Sequence, residues 1–521
     1  MKLFTRSNRL IIVFVWLGAV IFLTAPWSDA RTQSSAGSPK KIVAPKIWDA
    51  KALSTWFIPI AGVNATPHFY SEEEYYAAPV DNLKTYPVYF PGREPKDYTD
   101  WLKQQKPQPL VEPEKLKTEK DWLEAGRLVF EGLDDPPTRT NDPRALNYFS
   151  NPAAIKRDGM TVTEEGEIIG VRWVVDRDGE LKISFAQCSA CHTRVMEDGS
   201  TLRGAQGNAN FENSFGVGMI LANAGKIQAQ QGLTPQQRRY ARYGTPWIKD
   251  DINARFRTMT NEAARDVSRA IPGTFPRFNG SPYYTTRIPD LIGIKDRKYL
   301  DATGTHLNRG PADIARYAAL ITTADDGEIG PYKFYTEEQR RLTFRFLDEA
   351  LYALGLYIYS LKPPPNPNKF DALARQGQRI FEREGCATCH TPPLYTNNKL
   401  IAVEGFDPPK DDPGAARRNI LDVMEGMRIG TDPGLALKTR KGTGYYKAPS
   451  LKGLWYRTLT EHSGSIASLE DWFNPARMES NYVPTGWRGP GVLTRALPGH
   501  PFGLKLSAQE KRALIAFLKT L

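Results

Sequence analysis

Two copies of one short motif constrain this chain more than any other feature: Cys188-Ser-Ala-Cys191-His192 and Cys386-Ala-Thr-Cys389-His390. Together they use all four cysteines of the 521 residues. Two thiols about one helical turn apart reach the two vinyl groups on one porphyrin edge and form thioethers. The His that follows then lies under the ring, where its imidazole binds iron axially. Two disulfides, a redox C-x-x-C pair or a Cys/His zinc site are the alternatives. The His repeated in both copies, with no cysteine left over, favours haem. The motifs predict two covalently attached haems c. Cys188, Cys191, Cys386 and Cys389 are the attachment points, and His192 and His390 the proximal iron ligands.

Thioether attachment takes place outside the cytoplasm, and the N-terminus agrees. Lys2, Arg6 and Arg9 precede an almost wholly apolar run from Leu10 to Thr24, and Ser28-Asp29-Ala30 resembles a small-residue cleavage site. Residues 1–30 read as a signal peptide, or as an N-terminal anchor if uncleaved, since the run is close to a membrane span of about 20 residues. The expected location is the periplasm, with membrane contact only through an uncleaved anchor. The formal charge of +11 falls to +9 without residues 1–30, and the haem propionates would lower it further. No block of like charge is long enough to read as a nucleic-acid arm, so nucleic acid is not an expected partner.

The rest divides around Pro363-Pro-Pro-Asn-Pro-Asn368, a stiff linker. Landmarks recur on its two sides as a weak internal repeat. Ala125-Gly126-Arg-Leu-Val-Phe130 precedes the first motif and Gly377-Gln-Arg-Ile-Phe381 the second. Pro289-Asp-Leu-Ile-Gly293 follows the first and Pro449-Ser-Leu-Lys-Gly453 the second. Each half closes on an apolar helical stretch, Leu354–Leu361 and Leu514–Leu521. Capping-box patterns at Thr336–Gln339 and Ser507–Glu510 offer their starts. Phe130 lies much farther from its motif than Phe381 does, and the intervening Gly166–Leu181 predicts a strand pair or a strand ending at an Asp-Gly turn. The expected fold is mainly α, with two tandem cytochrome-c-like helical domains, long loops and a small β insertion in the first. The expected boundaries are 31–115 for a Pro- and aromatic-rich extension without catalytic signal, 116–362 for the first domain, 363–368 for the linker and 369–521 for the second domain.

Tyr446-Lys-Ala-Pro449-Ser-Leu-Lys-Gly-Leu-Trp455, followed by Glu461-His462-Ser-Gly464-Ser465 and Leu469-Glu470, resembles bacterial di-haem cytochrome c peroxidases and related tryptophylquinone-forming di-haem proteins. Gly499-His500-Pro-Phe-Gly503 is more similar to the rubber-oxygenase branch of that superfamily. The resemblance covers 365–521 well and 120–360 thinly. It implies one haem that reacts with peroxide or dioxygen and one that transfers electrons.

The departures from the family carry their own expectations. The peroxidases place a blocking His in a loop after the first motif, whereas Arg203–Asn210 here has none, which leaves haem 1 open. Gly304-Thr-His306-Leu-Asn-Arg309 stands where the family has its inter-haem Trp. Tyr299, Trp247 and Trp455 are alternative electron paths or plain core residues. The groups that hold the peroxidases' calcium are not reproduced around Arg457–Leu459, so calcium is not an expected cofactor.

A filled sixth position suits electron transfer and an empty one suits O–O chemistry. For haem 2 the resemblance favours His500 as distal ligand, over Met478, Met424, Met427 or none. His462 reads as a hydrogen-bonder near the haem edge. Heterolysis of peroxide needs an acid–base group. The candidates are His306, which is otherwise a loop histidine, and Glu328 of Asp325-Asp326-Gly-Glu328, which is otherwise a solvated turn.

The leading functional reading is an oxidoreductase that reduces peroxide, or activates dioxygen, at haem 1 with haem 2 as relay and a small redox protein as partner. The alternatives are a pure di-haem electron carrier, with Met196, Met219 or Met259 closing haem 1, and an oxygenase of an apolar organic substrate.

Overall fold

Both halves are organised around the same close helix–helix contact. Helix Glu119–Gly132 starts at a capping box in which Thr118 and Asp121 satisfy each other's backbone N–H. Trp122, Ala125, Gly126, Val129 and Phe130 recur at helical spacing on its buried face. That face packs on helix Asp348–Ser360. A Cβ on Gly126 would lie 2.1 Å from Ala353 O and 2.6 Å from Tyr357 Cβ. In the second half, helix Ala372–Arg383 buries Ala374, Gly377, Ile380 and Phe381 against helix Ala508–Lys519. There a Cβ on Gly377 would lie 1.9 Å from Ala513 O and 2.7 Å from Phe517 Cβ. Each glycine thus meets a carbonyl and the Cβ four residues on, and only a hydrogen fits there.

The computed structural model describes residues 41–521 apart from 211–213, 231, 277–279, 324–326, 341 and 409–420. Ile42–Leu521 is one compact unit. The segment read as a signal peptide or anchor lies outside the described residues. Among the described residues, no helix is long and apolar enough to cross a membrane.

The expectation of a mainly helical chain needs correcting, because helices alternate with six small sheets of two or three strands among the described residues. The largest strand pairing is close to the expected one: Glu167–Val175 runs antiparallel to Leu181–Phe185. Asp176 N–H donates to Glu180 O across the turn at 2.9 Å, and Gly179 sits at φ +82°. A third strand, Thr85–Tyr89, adds to the free edge of Glu167–Val175. The other sheets escape sequence reading because most of their strands have two or three residues, and the six-residue Val423–Arg428 shows no alternation of burial. Val80–Asp81, for example, finds its parallel partner Arg345–Phe346 only through the fold.

That last pairing also explains a start signal that is not used. Thr336 and Gln339 do form both capping-box bonds, at 3.0 and 3.3 Å. The chain then runs extended through Arg345–Phe346, and the closing helix begins only at Asp348. The Ser507–Glu510 box does open the last helix, as expected.

The extension before residue 115 is part of the core. Trp48, Trp56, Phe57 and Tyr75 are almost fully buried. Trp48 stacks on Tyr75 with ring centres 4.7 Å apart, and Trp48, Trp56 and Tyr75 join the cluster that holds the first helix pair. Burying each such ring contributes about 1.5–3 kcal/mol, so the extension supports the first half directly.

Candidate functional site

No disulfide joins any of the four cysteines in this structure. The first motif occupies a short helix, Gln187–His192, directly after strand Leu181–Phe185. The second follows Gly385, whose φ of +75° lets the chain turn off helix Ala372–Arg383 into a single turn at Cys386–Thr388. Burial pushes the Cys188 thiol up to about 12. Burial, with help from Glu384, pushes Cys386 up to about 11.

The two histidines are held alike. His192 Nδ1 donates to Pro289 O at 3.1 Å, and His390 Nδ1 donates to Pro449 O at 3.0 Å. These prolines begin the two matched Pro-x-Leu-x-Gly segments. A carbonyl only accepts, so each Nδ1 carries the proton and each Nε2 keeps its lone pair, the tautomer a metal ligand needs. Burial lowers the pKa of His390, against the opposing pull of its Tyr395 and Pro449 carbonyl partners.

Both motifs open on one cavity of about 1030 Å³. This is at the top of the range of about 300–1,000 Å³ usual for a single organic ligand. Phe185, Leu291, Ile314 and Leu354 line it near the first motif; Phe381, Leu454, Phe473 and Leu514 line it near the second. Arg287 and Arg457 line it too. Burial, then Arg457 and Arg297, bring Arg287 down to about 10. Asp290 faces this trio, with oxygens 3.9 Å from Arg297 and 3.8 Å from Arg457. Glu461 also acts on Arg287, and two carboxylates against three guanidiniums leave this wall with net positive charge for an anionic guest.

In the second pocket the His500 ring centre is 6.3 Å from that of His390. Two imidazoles on opposite sides of one metal ion, each bonded at about 2 Å, have centres about 6 Å apart. His500 is fixed by its N–H to Ile429 O at 3.0 Å, by Arg477 on its own carbonyl at 2.8 Å, and by edge contacts with Trp472 and Phe502. Its φ of +46° is left-handed for a residue with a side chain, a strain of about 1–3 kcal/mol of the kind that gathers at functional sites. Burial, then His390 and Arg477, push its pKa down to about 3, which keeps the ring neutral. Met478 lies outside the cavity, exposed, with its sulfur 3.5 Å from Arg477 Nη1. Met424 and Met427 pack their sulfurs 3.7 and 3.8 Å from Cys389 Sγ.

His462 stacks on Tyr446 with ring centres 4.4 Å apart. Its Nε2 is 3.1 Å from Tyr446 OH and its Nδ1 contacts the Glu461 carboxylate. Both ring nitrogens are engaged, as expected of a hydrogen-bonder at the pocket wall.

The two catalytic candidates part company. His306 is buried between Trp56 and Phe57, with Nδ1 2.5 Å from Asp301 Oδ2. It does not itself line the cavity, but Asp301 does. Glu328 sits on a two-residue strand, paired with Lys333 at 2.7 Å and His68 at 3.1 Å. Those bonds hold its carboxyl down at about 2, and it does not line the cavity. Asp325 and Asp326 lie outside the described residues.

Trp247, Tyr299 and Trp455 do not line the cavity, nor do Met196, Met219 and Met259. Between Leu133 and Ile358, His192 is the only histidine lining it and no methionine does, among the described residues.

Gln206 is a residue that sequence reasoning missed. It is fully buried in the loop that lacks the blocking His. Its amide donates to Ile288 O and Leu459 O, and its carbonyl accepts from Thr458 and Leu459 N–H. The loop therefore ties the first half to the second.

No family model matches the chain. Cytochrome-c peroxidase IdrP1 of Pseudomonas sp. strain SCT is 28% identical over 169 residues, 30% of this chain and 41% of that protein. Cytochrome-c peroxidase IdrP1 of Denitromonas iodatirespirans is 26% identical over 166 residues, 29% and 40% respectively. The chain thus spans about two fifths of the length of the curated relatives it matches. Among solved structures, a MauG-like protein associated with microbial copper homeostasis aligns over 57% of this chain and 88% of its own, at 15% identity and TM-score 0.27. Hydrazine synthase of Kuenenia stuttgartiensis aligns over 48% and 77%, at 14% identity and TM-score 0.28. Over about 30% of its length, the chain is a distant relative of cytochrome-c peroxidases.

Proposed function

We propose that this chain is an exported di-haem c-type cytochrome that reduces peroxide, receiving single electrons from a small redox protein. The observation that carries this reading is the matched pair of His–Pro bonds, which sets both rings at one cavity in the tautomer that ligates a metal through Nε2. Cys188 and Cys191, and likewise Cys386 and Cys389, would form the thioethers. Arg287 and Arg457 supply positive charge suited to propionates. Haem held in this way supplies one-electron redox chemistry and, where the sixth position is open, a place for peroxide or dioxygen.

The residues divide the labour. His390 and His500 form a bis-imidazole site suited to storing and relaying an electron. The first pocket, with His192 alone, is the site assigned to peroxide. The relatives' name supports peroxide as the substrate and a cytochrome c as the donor. Reducing peroxide to two waters takes two electrons, and small carriers deliver one at a time, which gives the second site its use.

The proposal includes two tandem cytochrome-c-like domains joined at Pro363–Asn368, supported by the repeated glycine contact at Gly126 and Gly377. It includes periplasmic location, supported by the pattern of residues 1–30 and by the thioether motifs. It also places the C-terminal half nearest the rubber-oxygenase-like branch, on the setting of His500.

The test is mass spectrometry of the exported protein followed by steady-state peroxide reduction with a reduced small cytochrome. Two covalent haems and donor oxidation that depends on peroxide are expected. Two haems without peroxide turnover would leave the electron-carrier or oxygenase reading in its place.

A further inference from the structure

Glu328 is bound up on the surface, so the first pocket needs its acid–base group from elsewhere. Besides Glu461, which is bound to His462 and Ser463, two carboxylates line the cavity, Asp135 and Asp301. They are held differently. Asp301 Oδ2 faces His306 Nδ1 at 2.5 Å, and Asp301 Oδ1 accepts from Tyr317 OH at 2.9 Å. His306 is in turn clamped by Trp56, Phe57 and Tyr317, with ring centres at 4.4, 4.8 and 5.2 Å. Tyr317 also lines the cavity, and it packs against the same apolar cluster as Cys188 of the first motif. The group therefore stands where the cavity meets the cluster that also holds Cys188. Asp135, by contrast, receives no hydrogen bond on its carboxylate among the described residues.

We propose that Asp301, its two oxygens fixed by His306 and Tyr317, is the acid–base group of the first pocket. This rests on the peroxidase reading above. Peroxide, two protons and two electrons give two waters. Asp301 takes the proton from the oxygen that binds and returns it to the departing oxygen. The O–O bond breaks, its electron pair leaves with the departing oxygen, and that oxygen goes as water. The reduced donor protein supplies the two electrons, and solvent supplies both protons that the remaining oxygen takes up. The remaining oxygen then leaves as the second water. Asp301 is the catalytic residue in this step. His306 and Tyr317 are positioning residues, and His306 also takes part of the positive charge while Asp301 holds the proton.

Cyanide tests this without turnover. It enters as hydrogen cyanide and binds iron as the anion, so a base in the pocket retains the proton. With the purified di-haem protein and a pH-indicator dye, the wild type is expected to release close to zero protons per cyanide bound, and Asp301→Asn close to one. In parallel, Asp301→Asn is expected to slow the peroxide reaction about 10²–10⁴-fold. Asp301→Glu should restore part of the rate, and His306→Gln should shift the acid limb of the pH profile. Unchanged absorption of the second haem checks the fold of each variant.

Equal proton release and equal rates in wild type and Asp301→Asn would overturn the assignment while leaving the peroxidase reading standing. Proton release that appears in Asp135→Asn instead would overturn it in favour of Asp135. A wild type that neither binds cyanide nor consumes peroxide would overturn both.

Discussion

In the second pocket a histidine ring, His500, stands 6.3 Å from the His390 ring. From the first half, Asp301 and Tyr317 line the cavity, and among the described residues His192 is the one histidine of that half that does. Behind the motifs the two pockets are alike, with a Pro carbonyl on each Nδ1, a glycine-tight helix pair and an N-terminal cap on each helix that carries the glycine. The contrast teaches that the elements behind the motifs repeat while the facing walls of the cavity differ. Under the proposed function, this repeated scaffold would carry an electron-storing site and a reactive one side by side.

The largest effect should come from breaking the repeated elements. Cys188→Ser with Cys191→Ser should remove one covalent haem by mass, and Cys386→Ser with Cys389→Ser the other. Loss of both haems from either variant would show that the sites do not load independently. Next in size, His500→Ala should convert the second haem's low-spin EPR signal to high-spin, whereas Met478→Ala should leave it unchanged. The reverse result would place the sulfur, not the imidazole, on that iron.

Smaller and symmetric effects test the scaffold. Gly126→Ala and Gly377→Ala each force a methyl against a helix carbonyl, and overpacking of this kind costs about 1–3 kcal/mol. Similar drops in thermal midpoint are expected from the two. A large drop from only one would mean that the helix pairs are not equivalent.

The smallest effect concerns Glu328. Its folded pKa, about 2, lies below the ordinary 4.5. Its ion pairs with Lys333 and His68 therefore stabilise the fold above about pH 4.5 and lose that effect as pH falls toward 2. Glu328→Gln should leave peroxide turnover unchanged. Its stability deficit should be slight, reduced by salt, and should vanish in acid. A turnover loss above tenfold would return Glu328 to the catalytic machinery.

The sequence made the repeated features legible because they depend on local spacing. The C-x-x-C-H pairs, Gly126 and Gly377, Pro289 and Pro449, and the Ser507 cap can each be read from a few adjacent residues. The differing features depend on approach across the fold. Asp301 precedes His306 by five residues in a loop, and no periodicity announces that their side chains meet. Gln206 joins segments more than 250 residues apart. Glu328 comes forward on its residue type alone, whereas in the fold its carboxylate pairs with His68 and Lys333 away from the cavity. Thr336 shows the same limit: its cap forms, yet pairing of Arg345–Phe346 with Val80–Asp81 keeps the chain extended beyond it.

The division into one open and one bis-histidine site is tested most directly by low-temperature EPR on the purified ferric protein. One high-spin and one low-spin haem signal are expected, the low-spin signal lost in His500→Ala. Two low-spin signals that persist after half-reduction would contradict the division and make the protein an electron carrier.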